Sequence, residues 1–246
     1  IVPADSDINS IEDLKGKTVG VFSMTSSGIP LMQAFLRKND IDPENDISMV
    51  VTGFGPQASE ALNSGDADAL MLWGSAIAQL ENLGHEFRAF ADEDWLKMPG
   101  FSAYVAREFY EDNPQAVIDL VKGMNMALVF AQERPECAVK LQWENWPDTK
   151  PADVDDETAL AMDLHSLAAQ MDLSVGPALE LHEMWGMPGS EDFDLLQAFL
   201  LDNGLIEEAI DDSTLFYIND PAYWEAVNDF DAEAIRKQAQ EMDCDL

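Results

Sequence analysis

Residues 8–28, INSIEDLKGKTVGVFSMTSSG, constrain the fold more than any other stretch of the chain. Asn9 or Ser10 can cap a short helix over Ile11–Leu14, with Glu12 and Asp13 in the first turn, where the helix dipole favours acid. Gly16 stops that helix. Thr18–Phe22 is short, β-branched and apolar, the composition of a strand covered on both faces. Ser23–Ser27 is a small polar loop, and Gly28 leads into a helix over Ile29–Asn39 that accepts Pro30 in its first turn. A buried strand that ends in hydroxyl residues at a helix start places O–H and N–H groups at the carboxyl edge of a sheet. In open α/β sheets small ligands bind at that edge.

The alternation continues. Ile47–Thr52 and Ala67–Leu72 read as strands. Gln57–Ser64 reads as a helix with Ala58, Ala61 and Leu62 inward, stopped by Gly65. Ala76–Leu83 is helical with Gly84 as its cap, and Phe87–Ala91 is a further short strand. Strands alternating with helices predict parallel βαβ units. Asp92–Gly100 is a loop, and Phe101–Arg107 alternates as a strand. Beyond it the chain reads as helical. Asn113 caps a long helix from Pro114 with Val117, Leu120, Val121, Met124 and Leu128 on one face. Further helices are expected over Glu136–Trp143, Asp155–Gln170, Ala178–Trp185, Asp192–Asp202 and Asp231–Met242. Pro147–Val154 reads as a loop and Leu215–Tyr217 as a short extended piece. The fold class is therefore α/β with a parallel-rich sheet, followed by a mostly helical C-terminal half.

The ordered motifs resemble the solute-binding proteins of ABC importers, in the group that takes nitrate, sulfonates, taurine and the thiamine pyrimidine. The resemblance is carried by Ile8–Val21 with the hydroxyl loop after it, by Ala61–Ala69 (ALNSGDADA), by Asn113–Val117 (NPQAV) and by Asn228–Arg236 (NDFDAEAIR). It implies a two-lobed periplasmic-binding-protein fold, with residues 1–107 as the second lobe and 108–246 packing on the first. By the resemblance, Ile1–Asp7 and Phe101–Arg107 are the two hinge crossings. The first half-lobe of such a protein would precede Ile1, so the chain is expected to be a piece of a longer one.

Composition narrows the partners. The chain has 246 residues, 47% of them apolar, enough for a substantial core. No run reaches the roughly 18–20 apolar residues of a membrane span. With 13 basic against 48 acidic residues the formal charge is −35. Such a surface repels nucleic acid and anionic membranes. It suits a solvated exterior, to which adaptation to high salt could add. Cys137 and Cys244 belong to no CxxC or Cys/His cluster. A disulfide between them and two free thiols are both compatible with the sequence.

The candidate ligand contacts are Ser23, Thr25, Ser26 and Ser27, which could equally serve only as helix caps. Trp73, directly after the third strand, could stack on a flat ligand or belong to the core. Pro99, Gly100 and Phe101, in an apolar loop with Trp95 and Met98, and by resemblance Tyr104, are placed facing the cleft. Trp143, Trp146, Trp185 and Trp224 are expected in the core. His85, His165 and His182 have no partner at metal-ligand spacing, so surface or capping roles are expected and no metal. Asp153, Asp155, Asp156 and Glu157 lack the glycine and ligand spacing of a calcium loop. No nucleophile elbow, P-loop or dinucleotide fingerprint occurs.

The resemblance thus implies a binding component, with no catalytic residues and no cofactor. It would be a periplasmic or extracytoplasmic monomer that takes a small-molecule solute and docks on an ABC permease. It would meet the membrane only through that permease or an unseen anchor. A sensory domain of the same fold is the alternative. An enzyme of thiamine-pyrimidine synthesis is disfavoured because its cysteine motif is missing.

Overall fold

The structure is a computed structural model, and it describes residues 1–91, 98, 100, 102–174, 184–187, 190–210, 218 and 220–244. The chain divides into two compact units, Ile1–Lys97 with Asn203–Leu205, and Met98–Asp202 with Ile206–Leu246. The expected loop at Asp92–Gly100, the helix at Ala178–Trp185 and the extended piece at Leu215–Tyr217 fall largely or wholly outside the described residues.

In the first unit the chain forms β1 (Val2–Pro3), β2 (Thr18–Val21), α1 (Gly28–Lys38), β3 (Ser48–Val51), α2 (Pro56–Ser64), β4 (Ala69–Met71), α3 (Gly74–Asn82) and β5 (Phe87–Arg88). A 3-10 turn, Ile11–Leu14, precedes β2. The Asp13 carboxylate accepts the Asn9 and Ser10 backbone N–H groups at 2.9 and 3.0 Å. These bonds hold its pKa below the usual carboxylate value. Strands β3, β2 and β4 lie side by side in that order, all parallel, with Val21 beside both Val51 and Met71. Ile1 exchanges both backbone hydrogen bonds with Leu70, and β1 pairs antiparallel with β5.

Two cores sandwich this sheet. Val19, Val21, Met49, Ala69 and Met71 pack with Ile29, Met32 and Leu36 of α1. Val50, Leu70 and Leu72 pack with Ala58 and Ala61 of α2 and Leu80 of α3. The route from β2 to β3 moves one way across the sheet, and the route from β3 to β4 moves back past β2. Right-handed crossovers then require helices on opposite faces. That reversal makes the carboxyl end of β2 a topological switch point.

Gly20 in β2 is where the second face comes closest. A Cβ there would lie 2.5 Å from Leu70 Cδ2 and 2.7 Å from Thr52 Cγ2. Gly20→Ala is expected to cost about 1–3 kcal/mol by overpacking. Urea denaturation of the variant checks this, and an unchanged midpoint would contradict the packing described.

The second unit is helical: α4 (Arg107–Asp112), α5 (Pro114–Glu133), α6 (Pro135–Asn145), α7 (Asp156–Ser174), α8 (Ser190–Asp202), α9 (Pro221–Val227) and α10 (Ala232–Glu241). Helix α5 is the spine. Helices α6, α9 and α10 pack on it, and α7 packs on α6.

Four sequence expectations change here. Residues 102–106 form no strand and Arg107 opens α4, because exposed residues 102–106 have no ladder partner among the described residues. Asn113 caps α5 without its side chain, which donates instead to the Phe109 carbonyl of α4. The buried face of α5 carries Val117, Asn125 and Val129, while Leu120 and Met124 are 65% and 47% exposed. It is turned by about 70° from the stripe counted on apolar residues alone, at 100° per residue. Trp146 is 65% exposed rather than in the core. Trp185 and Trp224 are buried, and Trp143 donates to Asp163 at 2.7 Å. Burial raises the Asp163 pKa, partly opposed by that bond.

Cys137 and Cys244 form a disulfide, resolving the two alternatives the sequence leaves. It joins α6 to the segment after α10.

The acidic surface has a measurable consequence. Repulsion among exposed carboxylates is screened over about 10 Å at 0.1 M salt and about 3 Å at 1 M. The melting temperature is expected to rise by several degrees across that range. A salt-indifferent melting temperature would rule out net self-repulsion as a determinant of stability.

Candidate functional site

The candidate site lies where β2, β3 and β4 end. Each strand leaves the sheet into an aromatic residue: Phe22 after β2, Phe54 in the turn after β3, and Trp73 after β4. Parallel pairing in register brings these ends to one edge. The three rings form a mutual cluster. Phe22 and Trp73 meet edge to face at 5.5 Å between centroids, and Phe54 lies 5.7 Å from each. Such tilted geometries suit ring quadrupoles. Phe22 and Phe54 remain 41% and 44% exposed, although each sits beside a buried sheet.

Local sequence sets the turns. Gly53 and Gly55 carry φ of +68° and +60°, a region costly for side chains, and so swing Phe54 back to the edge before Pro56 opens α2. Trp73, in extended conformation, is the residue on which α3 starts.

The hydroxyl loop lies beside Phe22. Ser23 Oγ and Thr25 Oγ1 share a 3.0 Å hydrogen bond, and Thr25 N donates to Ser23 Oγ at 3.3 Å. Ser26 Oγ accepts the Gly28 N–H at 3.4 Å, so Ser26 contributes to the helix start. Ser27 precedes α1 but makes no side-chain cap bond. Thr25 and Ser27 are exposed, and Ser23 and Ser26 half-buried. A Cβ at Gly28 would lie 2.5 Å from Met71 Cε and 3.0 Å from Met71 Sδ, so α1 begins close against the end of β4.

The structure thus brings Ser23, Thr25, Ser26, Ser27 and Trp73 to one edge of one unit. Gly100 is exposed and Tyr104 is 99% exposed, both in the other unit, and Pro99 and Phe101 lie outside the described residues. Phe22 and Phe54 were not singled out from sequence. Their signal was there: an aromatic at the end of each of three successive parallel strands.

Other chemistry is structural. His85 Nε2 is 2.6 Å from Ser59 Oγ, and its ring stacks on Phe87. His182 lies outside the described residues. Among the described residues, no group of three His, Cys, Asp or Glu side chains could hold a metal ion. Likewise, no described helix is long and apolar enough to cross a membrane.

A parallel sheet covered on both faces, followed in the chain by a helical unit, is consistent with an α/β fold of the periplasmic-binding-protein kind. The NMT1/THI5-like family model matches residues 1–138, more than half of the chain, and the chain belongs to that family. A solved structure of a protein from Bordetella bronchiseptica RB50 is similar in fold, with a TM-score of 0.56 at 20% identity. The likeness covers 98% of this chain and 69% of that one. No curated protein matches the sequence.

Proposed function

We propose that the protein is the solute-binding component of an ABC import system, acting outside the cytoplasmic membrane. The observation that carries this reading is the half-exposed aromatic cluster beside a hydroxyl loop at the carboxyl edge of β2, β3 and β4. Apolar rings left in water at a switch point are what a ligand wall requires. Ser23, Thr25, Ser26, Ser27 and Trp73, with Phe22 and Phe54 added, form one wall of a cleft between two lobes. The lobes close only as far as the solute binds the closed form better, and the closed form docks on the permease. The protein works as a monomer and catalyses nothing. Cys137 and Cys244 share a disulfide, so neither offers a thiolate. Such a bond also suits an oxidising, extracytoplasmic compartment.

A thermal-shift screen of the full protein against small organic solutes, sulfonates, nitrate and amino acids tests the reading. A solute at 100 times its dissociation constant adds roughly 2.7 kcal/mol, a shift of several degrees. Trp73→Ala is expected to weaken binding of the solute so found about 10- to 100-fold, since stacking of a flat ring on an aromatic side chain contributes on the order of 1–3 kcal/mol by alanine substitution. Calorimetry on the folded variant checks this. Unchanged affinity would assign Trp73 to packing alone.

A further inference from the structure

The unit formed by Ile1–Lys97 with Asn203–Leu205 contains four methionines, Met24, Met32, Met49 and Met71. Three of them serve the core that α1 covers. Met32 is 6% exposed, and half-buried Met49 and Met71 pack against the same cluster. Met24 is 52% exposed instead. It stands in the hydroxyl loop, two residues after Phe22. Its immediate neighbours are Ser23 and Thr25, whose side chains share the 3.0 Å hydrogen bond. The one methionine of this unit left in water is therefore the one at the solute edge.

A thioether is an oxidisable group, and exposure lets an oxidant reach it. With a peroxide, the Met24 sulfur lone pair attacks one peroxide oxygen. The S–O bond forms as the O–O bond breaks. The departing hydroxide takes the proton of the attacked oxygen and leaves as water. Sulfur is oxidised by two electrons and the peroxide is reduced by two. A flexible apolar side chain becomes a polar sulfoxide, and reductases reverse the change.

The sulfoxide alters this edge in two ways. Its oxygen is a strong acceptor that competes for the hydroxyl protons of Ser23 and Thr25. It also holds water that a thioether sheds, so covering the loop with a solute costs more. Resting on the solute-binding reading above, we infer that Met24 is a reversible oxidation site that sets the affinity of this edge: the thioether form binds solute and the sulfoxide form releases it.

The test treats the full protein with dilute hydrogen peroxide and follows sulfoxide at each methionine by peptide mass spectrometry. In parallel, calorimetry measures affinity for whichever of taurine, ethanesulfonate, nitrate, nicotinamide, cytosine and glutamine binds in a thermal-shift screen. Met124 and Met126, 47% and 38% exposed on α5 of the helical unit, are the internal reference. Met24 is expected to oxidise at least as fast as either. A loss of affinity of about fivefold or more should track Met24 and not the α5 pair, and methionine sulfoxide reductases of both stereospecificities should restore it. Peroxide should change the affinity of Met24→Leu less than twofold, whatever its starting value. Met24→Gln, with a permanent amide oxygen, should bind about as weakly as the oxidised parent.

Met24 staying reduced while Met124 and Met126 are oxidised overturns the inference. So does complete Met24 sulfoxide with affinity changed less than twofold, or an equal loss in Met24→Leu. In each of these outcomes the solute-binding reading stands. A screen in which none of the six probes binds overturns both.

Discussion

Reducing the Cys137–Cys244 disulfide is expected to destabilise the helical unit by about 2–5 kcal/mol. The bridge closes a sequence separation of 107 residues. In the chain-entropy account a loop of that size is among the more costly to close in the unfolded state, near 4.7 kcal/mol, while removal of natural bridges costs about 2–5 kcal/mol. Both sulfurs are buried, Cys137 at 0% and Cys244 at 6% exposure, so gentle reductant reaches them slowly. The bridge also holds the terminal segment in a position where other groups depend on it. Lys140 Nζ donates to the Cys244 carbonyl at 2.9 Å. Arg134 Nη1 donates to the Ala239 and Gln240 carbonyls at 3.2 and 3.1 Å, where a cation also meets the C-terminal dipole of α10. Cys137→Ser should therefore melt on the order of 10 °C lower than the parent. Full-strength reductant should bring the parent down to the same value. Alkylation with mass spectrometry provides the direct check: two reactive thiols in the unreduced, denatured protein would remove the premise.

Replacing Asn125 is expected to have the second largest effect. Its side chain is 2% exposed, and its Nδ2 donates at 3.3 Å to both the Trp185 and the Val227 carbonyl. It thereby ties α5 to the turn at Trp185–Gly186 and to the last residue of α9. Asn228 reinforces the same turn, with Oδ1 accepting the Trp185 N–H at 2.7 Å and Nδ2 donating to the Trp185 carbonyl at 3.3 Å. In Asn125→Ala the Val227 carbonyl loses this donor, the Trp185 carbonyl loses one of two, and a cavity remains. The expected cost is about 2–4 kcal/mol.

Asn125→Asp separates hydrogen bonding from size. A carboxylate here would face two carbonyl oxygens in a buried site, so its folded-state pKa must rise above the unfolded value of about 3.9. A raised acid pKa means stability is retained below the unfolded pKa and lost as pH climbs through the folded one. The variant should accordingly be closest to the parent near pH 4 and fall further behind toward pH 8. Parallel stability curves for variant and parent across that range would show that Asn125 acts only by filling space.

Both effects explain why the helical half was harder to read than the α/β half. In residues 1–91 the decisive signals are local. Gly16 and Gly65 stop a helical turn and a helix at positive φ, short apolar runs lie between them, and each strand leads into the next helix within a few residues. Along α5 the apolar count selected Leu120 and Met124, because counting hydrophobes cannot include a buried amide. Asn125 becomes inward-facing only through carbonyls 60 and 102 residues away. The Pro221–Val227 helix did carry a local signal, Asp220 accepting the Ala222 N–H with proline next to it, and could have been found.

The candidate site divides along the same line. Its hydroxyl loop and Trp73 are legible because each directly follows a recognisable strand. By itself the sequence determined the βαβ order and the strand ends, both consequences of interactions within a few residues. Only the tertiary structure decided that Phe22, Phe54 and Trp73 form one cluster, that α5 turns Asn125 inward, and that Cys137 finds Cys244. Those depend on strand register, helix rotation and long-range closure, which are settled by packing between segments far apart in the chain.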